Sequence, residues 1–209
     1  PESIAVHIGT GRDNNDVIPR MAYCAFGTPN FSMGYLAGDS CFCPRSASMA
    51  STNGDFMIAD MSQQFETRYD EENTEWRCPE VIVNWGCNAV VSNSDNFFGH
   101  WIVDCMQRGA KMITIDPGLT WLAARSDYWL RVRPGTDCAL AMAMIHVIAE
   151  EGLEDKDFVS KWCYGFDELV ERCEPWTPER AAEVCWVDAD KIREAARMYA
   201  NANNAAIQW

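Results

Sequence analysis

Val81-Ile82-Val83-Asn84-Trp85-Gly86 and, further on, Lys111-Met112-Ile113-Thr114-Ile115-Asp116-Pro117-Gly118 are short apolar, β-branched runs, each stopped by glycine or proline. Such runs read as buried strands. Between them, Asn93 or Ser94 can cap a helix that carries Phe97, Trp101, Ile102, Cys105 and Met106 on one face and stops at Gly109. Strand, helix and second buried strand form a βαβ unit. That unit implies a parallel sheet with a right-handed crossover.

Working outward, Tyr128-Trp129-Leu130-Arg131-Val132-Arg133 predicts a third strand ending at Pro134-Gly135. Thr136 or Asp137 then caps a strongly apolar helix, Ala139 to Glu150, closed by Gly152. The C-terminal part reads as helical. One segment runs from Glu154 to Cys163, and Thr177-Pro178-Glu179-Arg180 opens another with proline at its first position. Asp188 begins a third, with Ile192, Ala195, Ala196 and Tyr199 at helical spacing. Ala205 to Trp209 starts a further strand, and Ile4-Ala5-Val6-His7-Ile8 is strand-like near the N-terminus. Residues 64–79 are polar and charged and read as a surface excursion rather than a linker, and no internal repeat is visible.

The chain has 209 residues, 48% hydrophobic and 23% charged, enough for one large α/β domain at roughly 150 residues per domain. This composition excludes disorder, collagen-like repeats and coiled coil. The net charge of −14 argues against a nucleic-acid partner, which calls for a basic face. No apolar run approaches the ~18 residues needed to span a bilayer, and no secretory signal is visible. The chain begins at Pro1 rather than Met, so the expectation is a piece of a longer protein. The ten cysteines include no C-x-x-C pair, which excludes a zinc ribbon. They read as small buried thiols in a reducing environment rather than as a disulfide scaffold.

In open parallel sheets, ligands bind beyond the carboxyl ends of the strands. Those ends read Gly9-Thr10-Gly11-Arg12, Gly86-Cys87-Asn88, Asp116-Pro117-Gly118 and Arg133-Pro134-Gly135-Thr136-Asp137. Glycine lets a backbone approach a ligand, helix N-termini favour phosphate, and the acidic groups suit ribose hydroxyls or the N–H edge of guanine. Each loop alone is ordinary turn chemistry. Gathered at one sheet edge, they point to a nucleotide-bearing ligand. The site is not a standard dinucleotide or P-loop site, because the third glycine and the Walker A sequence are missing. No G-x-S-x-G or H-E-x-x-H occurs, and His7, His100 and His146 are scattered, as packed or surface residues are.

Cys41-Phe42-Cys43-Pro44-Arg45-Ser46 remains. Pro44 fits the first position of a helix through Ala47, Met49 and Ala50 that stops at Asn53-Gly54. Cys43 is then expected at the N-cap, where the helix dipole and Arg45 favour thiolate, a soft ligand for a redox-active metal. A buried structural cysteine is the alternative.

In order, GTGR (9–12), AFGTPN (25–30), C-x-x-S (43–46), VIVNWGCN (81–88), RGAKMITIDP (108–117) and LRVRPGTDCALAMAMIHVI (130–148) resemble the molybdopterin oxidoreductases, the dimethyl sulfoxide reductase family. The resemblance covers essentially the whole chain, and R-G-A-K-x-x-x-x-D-P followed by R-P-G-T-D is its most specific part. It implies a three-layer αβα fold with a mainly parallel, Rossmann-like sheet, of the formate dehydrogenase/dimethyl sulfoxide reductase central-domain type. Residues 1–209 would form a single such domain, separated from an N-terminal iron–sulfur domain and a C-terminal cofactor-binding domain.

The resemblance further implies a bis(molybdopterin guanine dinucleotide) cofactor holding Mo or W. Gly86 and Asn88 would border one guanine dinucleotide. Asp116, followed by Pro117, would lie at its ribose or guanine, and Pro134, Gly135, Thr136 and Asp137 would wrap the nucleotide end. Cys43 would be the protein ligand to the metal, with Cys41 as runner-up, and Arg45 would help to place the substrate. A [4Fe–4S] cluster would sit in the preceding segment, and an iron–sulfur electron-transfer subunit would be a partner.

The activity so implied is two-electron redox or oxygen-atom transfer on a small substrate. The alternatives are a relative without molybdenum serving electron transfer or assembly, and an unrelated nucleotide-binding domain. The compartment stays open between the prokaryotic cytoplasm and, if a twin-arginine leader has been removed, the periplasm or envelope exterior.

Overall fold

The computed structural model describes residues 1–8, 17–33, 42–54, 78–92 and 98–209, with the backbone alone for residues 8, 33, 42–46, 92 and 98. The chain divides into two compact units, Pro1–Ile58 and Ala59–Trp209.

In the first unit, β1 (Val6–Ile8) pairs in parallel with β2 (Phe31–Met33), Val6 opposite Phe31. Between them, α1 (Val17–Arg20) continues as a π-helical turn over Met21–Ala25 and stops at Gly27, where φ is +60°. Thr28 is buried, and its hydroxyl donates to the Ile4 carbonyl at 2.6 Å. The AFGTPN stretch thus ties the start of β1 to the approach of β2. The helix α2 (Phe42–Asn53) begins before Pro44, so Cys43 lies inside its first turn rather than at the N-cap. Proline is tolerated there, since first-turn N–H groups have no intrahelical acceptor. Gly54, at φ +83°, ends the helix as expected.

The second unit holds a sheet of four parallel strands, β3 (Val81–Trp85), β4 (Lys111–Ile115), β5 (Tyr128–Leu130) and β6 (Ala205–Gln208), in the order β5-β4-β3-β6. β3 stands in register with both neighbours, Asn84 lying opposite Thr114 and Gln208. Between β3 and β4 run α3 (Ala89–Ser92) and α4 (Phe98–Gln107), which stops at Gly109 with φ +103°. Between β5 and β6 run α5 (Asp137–Glu150), α6 (Lys156–Trp162), α7 (Phe166–Cys173), α8 (Pro178–Cys185) and α9 (Ala189–Ala200).

Helices cover both faces, which is the three-layer αβα arrangement. On one face Val81, Val83, Ile113, Ile115 and Leu130 pack against Leu140, Ala143, Val147, Ala181, Ile192 and Ala195 of α5, α8 and α9. On the other, Ile82, Met112 and Ala206 pack against Ile102, Cys105 and Leu122. Burial on both faces is why β3 and β4 read as unbroken apolar runs rather than alternating ones. The cap residues behave as the sequence implies in α8 and α9. Thr177 accepts from the Arg180 N–H, and Asp188 accepts from Asp190 and Lys191.

Several expectations are corrected. The third strand stops at Leu130, because the chain turns out of the sheet and the Arg133 N–H donates to the Cys185 carbonyl of α8 at 2.9 Å. The apolar helix begins at Asp137, not Ala139, and the Thr136 hydroxyl makes no cap, donating backward to the Arg133 carbonyl at 2.6 Å. The buried-thiol reading suits Cys105, Cys173 and Cys185, whereas Cys24, Cys138 and Cys163 are exposed. Burial pushes the Cys173 and Cys185 thiols up from their ordinary range. The proposed excursion at 64–79 lies outside the described residues up to 77, as do the candidate caps Asn93 and Ser94.

Candidate functional site

The chain enters this sheet at β3, adds β4 and β5 on one side, and returns to place β6 on the other. The order therefore reverses between β3 and β6, and the crevice beyond their carboxyl ends is the place where doubly wound sheets hold ligands. Gly86 leaves β3 with φ +63°, open space where a Cβ would stand, and its N–H on the Ile115 carbonyl at 2.8 Å. Behind this turn lies a polar row in an otherwise apolar layer. Asn84 is fully buried, and its Nδ2 donates to the Cys87 carbonyl at 2.7 Å. Gln208, 6% exposed, directs its Nε2 at the Cys87 sulfur at 2.9 Å. The Asn84 Oδ1 and Gln208 Oε1 acceptors on these register partners have no donor. An unmet buried acceptor costs about 1–3 kcal/mol.

One strand over, Asp116 Oδ1 accepts the Gly118 N–H at 2.7 Å and closes a tight turn through Pro117. The Trp129 indole donates to the Asp116 carbonyl at 2.8 Å, and Arg131 Nε donates to the Pro117 carbonyl at 3.3 Å. One carboxylate oxygen is thus already engaged, but an ionised carboxylate offers about four acceptor sites, so capacity for further donors remains. Next along, Pro134-Gly135-Thr136 leads into α5. Gly135 has φ +82° and open space at its Cβ position. Asp137, first in the helix, accepts the Trp85 indole N–H at 2.8 Å, which ties the end of β3 to the start of α5.

The structure therefore brings Gly86, Asn88, Asp116, Pro117, Pro134, Gly135, Thr136 and Asp137 to the carboxyl-end rim of one sheet. β1 belongs to a separate two-stranded sheet, and Gly9-Thr10-Gly11-Arg12 lies outside the described residues. Cys41, and the side chains of Cys43 and Arg45, also lie outside them. Among the described residues, no group of three His, Cys, Asp or Glu side chains could hold a metal ion, and no helix is long and apolar enough to cross a membrane. His7 and His100 are exposed, while His146 lies 3.5 Å from Glu150 one turn on in α5.

Sequence motifs alone do not mark Asn84 or Gln208 as site residues. The available signal was a carboxamide inside an apolar strand run, as in Val83-Asn84-Trp85 and Ile207-Gln208-Trp209. A buried polar side chain is more informative than another aliphatic one.

A family model described as molybdopterin oxidoreductase matches residues 36–208. Acetylene hydratase of Syntrophotalea acetylenica is 46% identical over 104 residues, 50% of this chain and 14% of that protein. Formate dehydrogenase H of Escherichia coli (strain K12) is 31% identical over 201 residues, 96% of this chain and 26% of its own length. The solved structure of acetylene hydratase from Pelobacter acetylenicus superposes with a TM-score of 0.70 at 32% identity, covering 91% of this chain and 24% of that one. The chain thus spans about a quarter or less of these relatives.

Proposed function

The chain belongs to the molybdopterin oxidoreductase family, and from that premise we propose that it is a fragment of a Mo- or W-bis(molybdopterin guanine dinucleotide) enzyme performing two-electron redox or oxygen-atom transfer on a small substrate. The observation that carries this reading is the rim itself. Asp116 and Asp137 stand at successive strand ends, beside the unmet acceptors of Asn84 and Gln208 at the reversal of strand order. These acceptors match guanine, whose ring N–H and exocyclic amine are donors. The open glycine turns at Gly86 and Gly135 and the N-terminus of α5 suit the diphosphate.

When bound, the group supplies a metal centre able to exchange two electrons. This chain's residues bind and orient it. Gly86, Asn88, Asp116 and Pro117 border the nucleotide, and Pro134, Gly135, Thr136 and Asp137 wrap its end. Cys43 is the proposed thiolate ligand, with Cys41 as the alternative, and Arg45 is assigned to holding a polar or anionic substrate. A [4Fe–4S] cluster in another segment of the full-length protein, and an iron–sulfur partner subunit, complete the proposed electron route.

The test is made on the full-length protein. Metal analysis is expected to find Mo or W, and Cys43→Ala is expected to lower turnover more than about 100-fold, beyond what loss of a supporting residue around a metal costs, with the thermal midpoint unchanged. Protein purified without either metal would sink the enzymatic reading. An active, metal-loaded Cys43→Ala would transfer the ligand role to Cys41, which Cys41→Ala then checks.

A further inference from the structure

Trp186 is the one non-glycine residue with a left-handed backbone among the described residues, at φ +62°. That conformation penalises any residue carrying a Cβ, and at the end of a helix it normally goes to glycine or asparagine. Packing gives little back, since Trp186 is 69% exposed. A large aromatic side chain held in strained backbone and mostly in water gains little stability there. Residues of this kind gather where ligands bind.

Its surroundings say which ligand. The Arg133 guanidinium lies over the indole, 4.9 Å from the ring centroid. The Arg133 N–H donates to the Cys185 carbonyl, joining the end of α8 to the Arg133-Pro134-Gly135-Thr136 loop beyond β5. Trp186 therefore stands beside the rim described above, one ring face taken by a cation and much of the rest exposed. We propose that Trp186, backed by Arg133, is the stacking platform for the purine base of the guanine nucleotide at this rim. The assignment rests on the nucleotide reading of the site. Base–aromatic stacking is indifferent to base identity, because every base presents a π-face. Trp186 therefore contributes affinity, while discrimination stays with the acceptors that read the base edge.

The experiment is calorimetric titration of the 209-residue chain with GMP and with AMP. Trp186→Gly is expected to weaken both about tenfold, and Trp186→Phe to recover most of the loss. Trp176, which stacks on Arg180 just before α8 and so at the other end of that helix, is the control, and Trp176→Phe is expected to leave binding unchanged. Trp186→Gly relieves the left-handed strain and is expected to melt within about 3 °C of wild type or above it, so lost binding will not be lost folding. Unchanged GMP affinity in Trp186→Gly overturns the platform alone, as does an equal loss in Trp176→Phe. A wild-type chain that does not bind GMP overturns both the platform and the nucleotide reading beneath it. In the full-length protein, the nucleotide released on acid denaturation is expected to fall in Trp186→Gly. Full nucleotide content there assigns Trp186 to a contact with the rest of the polypeptide and also overturns the proposal.

Discussion

Single side chains at the rim tie strand ends to helix starts, and Trp85 shows it. Its indole N–H on Asp137 Oδ1 holds the end of β3 against the first turn of α5, between residues far apart in the chain. Trp85→Phe keeps the ring and removes the donor, and a half-buried bond to a carboxylate is worth about 1 kcal/mol. Urea denaturation is expected to show a loss of that order. Asp137→Asn keeps an oxygen acceptor and is expected to lose less. A Trp85→Phe midpoint equal to wild type would mean that the indole bond adds nothing in water. The place of Asp137 beyond a strand end was legible in the sequence because Arg-Pro-Gly-Thr-Asp combines turn and acid. The part already taken by Trp85 was not, because that donor arrives from another strand.

Among the elements, the two central strands were readable because burial on both faces makes their apolar runs continuous. The helix α7 was not. Phe166–Cys173 is short and acidic, starts behind Gly165 at φ +78°, and has no side-chain cap to announce it. The third strand was overextended for a related reason. Arg131-Val132-Arg133 alternates like a strand, and only the acceptor at Cys185 draws the backbone away. The polar row of Asn84 and Gln208 was hidden because its members meet through pairing of β3 with β6, not through neighbourhood in sequence. The junction of α3 and α4 offers a sharper test of packing. A Cβ on Gly99 would stand 2.9 Å from the Ala89 carbonyl oxygen and 3.1 Å from Val90 Cα. These are backbone atoms and cannot rotate aside, so Gly99→Ala is expected to cost about 1–3 kcal/mol despite alanine's better helix propensity. Thermal unfolding of the variant checks this, and an unshifted midpoint would mean that the two helices slide apart freely.

For the molecule as a whole, charge sets the acid limit. Burial pulls the Asp127 carboxyl upward, but the Met112 N–H and the Lys111 ammonium at 3.1 Å outweigh it and hold the group below its ordinary 3.8. Bonds to Asn203, Arg197 and Arg193 lower Glu80, Glu151 and Glu179 in the same direction. A carboxyl depressed in the folded state contributes stability above its unfolded value, and that contribution is lost as pH falls through the folded value. Urea midpoints are therefore expected to hold level above about pH 5 and to decline below about pH 4. Asp127→Asn is expected to flatten part of that decline, and an unchanged slope in this variant would remove Asp127 from the explanation.

The strand order has a consequence for biosynthesis. β3 leaves the ribosome long before β6, its neighbour on one side, because all of α5 to α9 intervenes. Until β6 emerges, an apolar ribbon that will end in the middle of the sheet presents a bare hydrogen-bonding edge, open to pairing with other nascent chains. Pairing of Ala205–Gln208 with β3 therefore removes that bare edge.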